Sequence, residues 1–384
     1  MPSQTSKYEY ALSPRRKIRG LFSLWGLALE GNNDPFSRTF LEIIKSQMNP
    51  ISNFHGEVLD FIVLIEPPKG QVATLKKKHP NAYLILVVFE PKAVRPDHYS
   101  RRTWPMYDKV LHLSKEQASG NPKATTWEIG FVKGVQIAPE EAFIEKYVGD
   151  NPKVALINAN KFSFVPGSNY ALRADFARLA ISRGVDLTIA GKGWESGLIK
   201  NTIAQVKVLV FQVLLGARVN LRYFRTPIYT TTNRDRFAGE VESAIDFLRT
   251  FDIVVIIEND STYVSEKLYN AILAGSLPIY VGPKLSEHGL PPELALETAG
   301  SSNAIIDAIF TVDKNRLARW GEFRRNWLSL ESTHQRWSES QGIHNLVNKL
   351  IEVLTSEFVG KDTAQKYPHL ILPLVPRDDE EAFI

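Results

Sequence analysis

Phe251 to Pro283, FDIVVIIENDSTYVSEKLYNAILAGSLPIYVGP, decides the reading of this chain. Val254 to Ile257 is an apolar run of strand length, closed by the polar Glu258-Asn259-Asp260. The period then changes. From about Tyr263 to Ala274 apolar residues recur at helical spacing, with Val264, Leu268, Ala271 and Ile272 on one face and Tyr263, Glu266, Lys267 and Asn270 on the other. Gly275 stops the helix, and Leu277 to Val281 is a second strand. Tyr263, Glu266 and Lys267 stand three and four residues apart, so the spacing predicts that they face one pocket near the helix start. Free N–H groups and the helix dipole there favour an anion, and Lys267 adds a full charge.

The same alternation extends on both sides. Ile18 to Trp25, Val58 to Ile65 and Tyr83 to Phe89 read as strands, with helices over Phe36 to Gln47 and Gln71 to Lys78 between them. Turn residues cluster at Gly149-Asp150-Asn151-Pro152, and the pattern restarts: strand Val154 to Ile157, helix Leu172 to Ser182, strand Val185 to Ala190. Strand and helix in alternation predict parallel sheets covered on both faces. A length of 384 residues suits two domains at roughly 100–200 residues each. The expected division is 1–150, 151–350 and a C-terminal tail, 351–384. Ligands of such sheets sit beyond the carboxyl ends of strands, which singles out Glu66, Glu90, Gly191 and the residues from Glu258 onward.

Composition narrows the classes. A hydrophobic fraction of 44% with 23% charged residues excludes disorder as the main state. Lys+Arg 46 against Asp+Glu 42 leaves +4, too mild for a nucleic-acid binder. With Cys 0 there are no disulfides, thiolate metal sites or thiol nucleophiles, and the scattered histidines form no HExxH. No Asp-x-Asp follows a strand, so no required metal is expected. Residues 1–20 lack the apolar run of a signal peptide or anchor. The expectation is a cytoplasmic chain, at most bound to the inner face of a membrane. The segment Thr202 to Arg225 is apolar with basic ends. A buried helix or strand pair is its default reading, and a membrane-surface patch serving a lipid-linked acceptor is the other.

The 251–283 stretch resembles the signature of glycosyltransferase family 10, the α-1,3/4-fucosyltransferases. Glu258-Asn259, Tyr263-Val264-Ser265-Glu266-Lys267-Leu268, Asn270-Ala271, Gly275, Pro278-Ile279 and Gly282 match it in order and spacing. Ile257 stands where the family has Phe, and Asp260 where it has Ser. Asn169 to Gly193 is similar to the family's Arg-led helix and Gly-Lys turn, and Glu90-Pro91 to its Glu-x-Pro-like context. The likeness spans roughly 85–330 and is dense over 251–283.

The resemblance implies a GT-B type α/β fold: two Rossmann-like domains facing each other across a cleft, an acceptor half first and a sugar-nucleotide half second. It implies inverting transfer of fucose from GDP-fucose to a hydroxyl of a glycan acceptor, without cofactor. Inversion requires a base for the acceptor proton and cations for the departing diphosphate. Glu90 matches the base, with Glu66 its rival one strand earlier. Arg173 and Lys267 match the diphosphate ligands, Glu266 the residue that holds ribose or sugar hydroxyls, and Asn259 and Tyr263 donor-pocket positions. Gly191-Lys192-Gly193 reads as a strand-ending turn rather than a phosphate loop. Another GDP-sugar donor, and a non-catalytic relative that binds a glycan or nucleotide, stay open as alternatives.

Overall fold

The computed structural model describes residues 7–13, 16–24, 27–28, 35–48, 50–53, 58–100, 102–114, 118–127, 151–228, 231–262, 264–330 and 342–358. The chain forms two α/β units, each built on its own sheet.

The first sheet is eight-stranded. Its strands are β1 (Lys7–Ser13), β2 (Arg16–Leu24), β3 (Leu27–Ala28), β4 (Pro50–Asn53), β5 (Phe61–Ile65), β6 (Tyr83–Val87), β7 (Lys109–His112) and β8 (Ala124–Thr126). The order is β4-β1-β2-β5-β6-β7-β8, with β3 on β2. From β2 to β8 neighbours run parallel, as the alternation predicts. β5 and β6 read FIVLI and YLILV because both faces are covered, and all but Tyr83 are buried. This sheet departs from the expected all-parallel arrangement at two places: β1 is antiparallel to β2 and to β4, and the short β3 is antiparallel to β2. The Ser13-to-Arg16 connection is too short for a crossover and permits only a hairpin.

The second sheet is six-stranded: β9 (Val154–Ile157), β10 (Leu187–Ala190), β11 (Phe237–Gly239), β12 (Ile253–Ile257), β13 (Leu277–Val281) and β14 (Leu296–Glu297). Every pairing in it is parallel. The order β11-β10-β9-β12-β13-β14 is that of a doubly wound nucleotide-binding sheet. The order reverses between β9 and β12, and the crevice beyond their carboxyl ends is where such sheets take ligands.

Among the described residues the α-helices are, in chain order, α1 (Pro35–Met48), α2 (Gln71–Lys78), α3 (Tyr170–Ser182), α4 (Leu198–Leu214), α5 (Ala244–Leu248), α6 (Glu266–Ala274), α7 (Ser302–Phe310), α8 (Lys314–Leu328) and α9 (Gly342–Phe358). α6 ends at Gly275, whose φ of 71° closes the helix in the left-handed conformation. The buried Arg324 of α8 donates to the last-turn carbonyls of Ile272 and Leu273 of α6, a cation placed at the negative end of the helix dipole.

α9 joins the first unit. Leu346, Val347, Leu350, Val353 and Leu354 are buried in one cluster with Phe40, Ile43 and Ile44 of α1 and with Phe61, Val63 and Ile85. The sequence reading put residues 342–350 in the second domain and 351–358 in a tail. The spacing of these leucines and valines instead lays one continuous helix against the opening domain.

Candidate active site

The crevice at the strand-order reversal is built from two loops, one leaving β9 and one leaving β12. They are tied together where Asn169 N–H donates to the Asn259 carbonyl at 2.9 Å. Arg173, in the first turns of α3, is buried between them. Its Nε and NH2 donate to the Ile257 carbonyl at 3.1 and 2.7 Å, and NH2 also reaches Asn259 Oδ1 at 2.7 Å. The guanidinium lies 4.5 Å over the Tyr170 ring. Arg173 is therefore no solvated surface arginine. It fixes the end of β12 and orients Asn259, placing a positive charge at the switch point.

Glu258, fully buried, accepts the Ser265 N–H through Oε1 at 2.8 Å. Ser265 in turn caps α6, its hydroxyl accepting the Lys267 N–H. α6 accordingly starts at Glu266, not near Tyr263 as the sequence spacing suggests. The helical offset from Tyr263 to Glu266 and Lys267 thus carries no geometry, and Tyr263 itself lies outside the described residues. Lys267 Nζ bonds Glu266 Oε1 at 3.0 Å and Ser265 Oγ at 3.3 Å. Partial loss of solvent works to raise the half-exposed Glu266 carboxyl, but Lys267, with a smaller pull from Arg173, holds it below its ordinary range. Arg173, Glu266 and Lys267 thus share one electrostatic field.

Two tight contacts explain glycines near this loop. A Cβ on Gly282 would collide with the Tyr280 hydroxyl and stand 2.8 Å from Glu258 Cγ. Gly191 has φ 125°, and a Cβ there would meet the Asn158 carbonyl oxygen at 2.5 Å. Lys192 pairs with Glu240 at 3.0 Å. Gly191-Lys192-Gly193 is the strand-ending turn expected of it.

The first unit supplies two carboxylates at strand ends, and the structure separates their roles. Glu66, with φ 49°, is the one non-glycine among the described residues in the left-handed region. That backbone twist turns its side chain into the protein. Oε1 accepts the N–H groups of Phe89 and Glu90 at 2.7 and 2.8 Å. Oε2 lies 2.9 Å from His98 Nδ1 and 3.3 Å from Arg95 NH1. Arg95 can only donate, so its 2.6 Å contact with His98 Nε2 assigns the ring proton to Nδ1, facing Glu66. Arg95 is thereby folded onto Glu66, donating also to the Glu66 and Pro67 carbonyls.

Glu90 is held by its backbone, its N–H by Glu66 and its carbonyl by the Tyr99 hydroxyl at 3.2 Å. Burial raises its carboxyl above the ordinary range and the Glu66 carboxylate adds to the rise, while Lys161, Arg95 and Lys267 pull it back. Lys161 and Lys267 belong to the second unit. The structure thus brings Glu90 of one sheet into the field of the switch-point lysines of the other. Lys161 escaped the sequence reading because a lone lysine in NANKFSF carries no pattern.

The two units are pinned at Ala93. Its N–H donates to Asp260 Oδ2 at 3.3 Å, and its carbonyl accepts from Ser163 Oγ at 2.7 Å and Gln212 Nε2 at 2.9 Å. Asp260 spends its carboxylate on this bridge and on Thr262. Among the described residues no group of three or more His, Asp or Glu side chains could hold a metal ion. No described helix is long and apolar enough to cross a membrane.

No family model matches the chain, and no curated protein matches it. Among solved structures it is similar to a glycosyltransferase from Rickettsia africae ESF-5, with 14% identity over 86% of this chain and 83% of that one and a TM-score of 0.44. It is also similar to HepE of Anabaena in complex with UDP (12% identity, 83% of each chain, TM-score 0.45). A third is an α1,3-fucosyltransferase with GDP (12% identity, 74% of this chain and 75% of that one, TM-score 0.40). Likenesses this loose assign neither donor nor reaction.

Proposed function

We propose that this chain is an inverting glycosyltransferase that moves fucose from GDP-fucose to a hydroxyl of a glycan acceptor. One observation carries the reading. A doubly wound sheet holds the buried Arg173 and the helix-start Lys267 beside its switch-point strand β12, and the raised carboxyl of Glu90, carried by the other sheet, feels Lys161 and Lys267. The motif resemblance of 251–283 supplies the donor.

In this reading the diphosphate of the donor lies in the crevice between the β9 and β12 loops. Lys267 neutralises it as a point charge, and Arg173 does so from the position that Ile257 and Asn259 give it. Glu266 accepts from donor hydroxyls, and Asn259 and Tyr263 complete the donor pocket. Glu90 takes the proton of the acceptor hydroxyl as that oxygen attacks the anomeric carbon from the face opposite the diphosphate. The bond to the diphosphate breaks as the new glycosidic bond forms, so the configuration inverts. Burial and Glu66 make Glu90 a stronger base than an exposed carboxylate, and Lys161 and Lys267 oppose that rise.

Thermal unfolding with GDP, UDP and GDP-fucose tests the donor assignment. GDP should raise Tm and UDP should not; stabilisation by UDP alone sinks the assignment. Slow hydrolysis of GDP-fucose without acceptor separates an enzyme from a binding protein. Stabilisation by GDP with turnover of a different GDP-sugar would keep the fold and change the donor.

A further inference from the structure

α4 is amphipathic with its polarity reversed. The residues it buries are Asn201, Gln205 and Gln212. Gln205 bonds Asn201 Oδ1 and both the N–H and the carbonyl of Arg225, at 2.6–2.8 Å. Gln212 accepts the Phe164 N–H and donates to Ala93 and Ser163 at 2.8–3.0 Å. These amides are satisfied, so the helix is not misrotated. On the opposite face Ile199 (77% exposed), Ile203 (51%), Val206 (45%), Val210 (51%) and Val213 (52%) form one open stripe, with Leu214 at its end. Leu221 and Phe224, in the segment that follows, are also exposed. A helix lying against water shows the opposite pattern.

Charge identifies the occupant. Between Leu198 and Arg225 the sequence carries Lys200, Lys207, Arg218, Arg222 and Arg225 and no Asp or Glu. Lys200 and Lys207 are exposed beside the stripe. The stripe repeats every four and three residues like a helix–helix seam, but a second copy would set Lys200 and Lys207 against their own kind with no acid to pair them. An apolar stripe edged by lysines matches a bilayer with anionic headgroups: the side chains enter the acyl boundary and the lysines meet phosphate.

We propose that the exposed face of α4, with Leu221 and Phe224, docks the protein on an anionic membrane surface. The C-terminal end of α4, a helix of the second unit, bonds the first unit, through Lys69 Nζ to the Leu214 carbonyl and through Gln212 to Ala93, whose N–H donates to Asp260. Docking on this face therefore sets the crevice beside the bilayer. The consequence that the acceptor is lipid-linked rests on the proposed transferase reading; the docking itself does not.

Flotation of the full chain with phosphatidylcholine vesicles, with and without one-third phosphatidylglycerol, tests the assignment. At low salt the chain should float with the anionic vesicles alone, and added salt should weaken the binding. Val206→Glu with Val210→Glu should abolish flotation while leaving Tm and nucleotide-induced stabilisation unchanged, since both positions are open to solvent. Lys200→Gln with Lys207→Gln should weaken partition by roughly fivefold per lysine. Absence of flotation at low salt overturns the proposal. So does a dimer in sedimentation velocity that Val210→Glu splits. Flotation gained only on removing residues 369–384, whose HLILPLVP run is apolar, would name that segment as the occupant and also overturn it.

Discussion

Replacing Glu66 by Gln separates the two strand-end carboxylates. The new side-chain carbonyl at position 66 can still accept from the N–H groups of Phe89 and Glu90, which lie 2.7 and 2.8 Å from Glu66 Oε1, but the charge facing Arg95 and His98 is lost. A hydrogen bond to a buried charge contributes about 1.5–3 kcal/mol, roughly twice a neutral one. Two such bonds reverting to neutral strength remove about 2–3 kcal/mol, and leaving Arg95 short of one partner sets an upper bound near 4 kcal/mol. Urea unfolding should show that loss. The catalytic effect has a defined sign. The Glu66 carboxylate raises the Glu90 pKa as a like charge, so its removal lowers that pKa, and Glu90 becomes a competent base at lower pH. The acid limb of kcat/KM for transfer from GDP-fucose should move down in pH, with the plateau within about tenfold of wild type. Glu90→Gln should instead lose at least about 100-fold at every pH, the lower end of what a general base contributes. Turnover of Glu90→Gln within a few-fold of wild type, alongside an inactive Glu66→Gln, would reverse the assignment. An acid limb that stays in place would show that the Glu66 charge is not felt by the base.

Three further outcomes are expected. Lys267→Ala and Arg173→Ala should each lower kcat/KM at least about 100-fold, near 2.7 kcal/mol of transition-state stabilisation; steady-state kinetics showing less than tenfold for both refutes the diphosphate clamp. Gly282→Ala should destabilise by about 1–3 kcal/mol, because its methyl collides with the Tyr280 hydroxyl. Adding Tyr280→Phe should recover part of that loss in a double-mutant cycle, and strict additivity would show that the clash lies elsewhere. Asp260→Ser should cost about 1–2 kcal/mol in denaturant unfolding, by leaving the buried Ala93 N–H without its acceptor, with GDP affinity changed less than about tenfold; a larger loss of affinity would place Asp260 in the donor site.

What the sequence disclosed and what it hid follow from different physics. Runs such as IVVII at 253–257 and FIVLI at 61–65 are legible because a strand buried on both faces has no room for a polar residue. The α2 boundaries, Gln71 to Lys78, were legible for similar local reasons. Periodicity shows which residues of α4 share a face but not which face turns inward, so the default reading, a buried helix or strand pair, did not separate the open valines from the buried glutamines. The glutamines turn inward because partners distant in sequence, Arg225, Phe164 and Ala93, satisfy the amides. Docking of α9 on α1 joins segments from opposite ends of the chain, and no local pattern announces it. Within the candidate site, motif spacing reached Asn259, Glu266 and Lys267. Glu66 and Glu90 looked alike as strand-end carboxylates; the twist at φ 49° that turns Glu66 inward is a property of the folded backbone alone.

Ala93 shows why the crevice depends on both halves of the chain. Glu90 follows β6 of the first sheet, whereas Lys161, Arg173 and Lys267 belong to the second. A carboxylate and a cation set on separate bodies interact only as well as those bodies are held, because their attraction falls with distance and is screened by intruding water. The segment from Glu90 to Ala93 is fixed at both ends. Glu66 holds the Glu90 N–H on one side, and on the other Asp260, Ser163 and Gln212 hold Ala93 from the second unit. Asp260 lies two residues past Glu258 in the loop that leads into α6 and Lys267. Part of the link that joins the units is therefore built into the same short loop that delivers the lysine, and the Glu90-to-Lys267 relation is set close at hand, by short stretches of chain and the hydrogen bonds that hold Ala93.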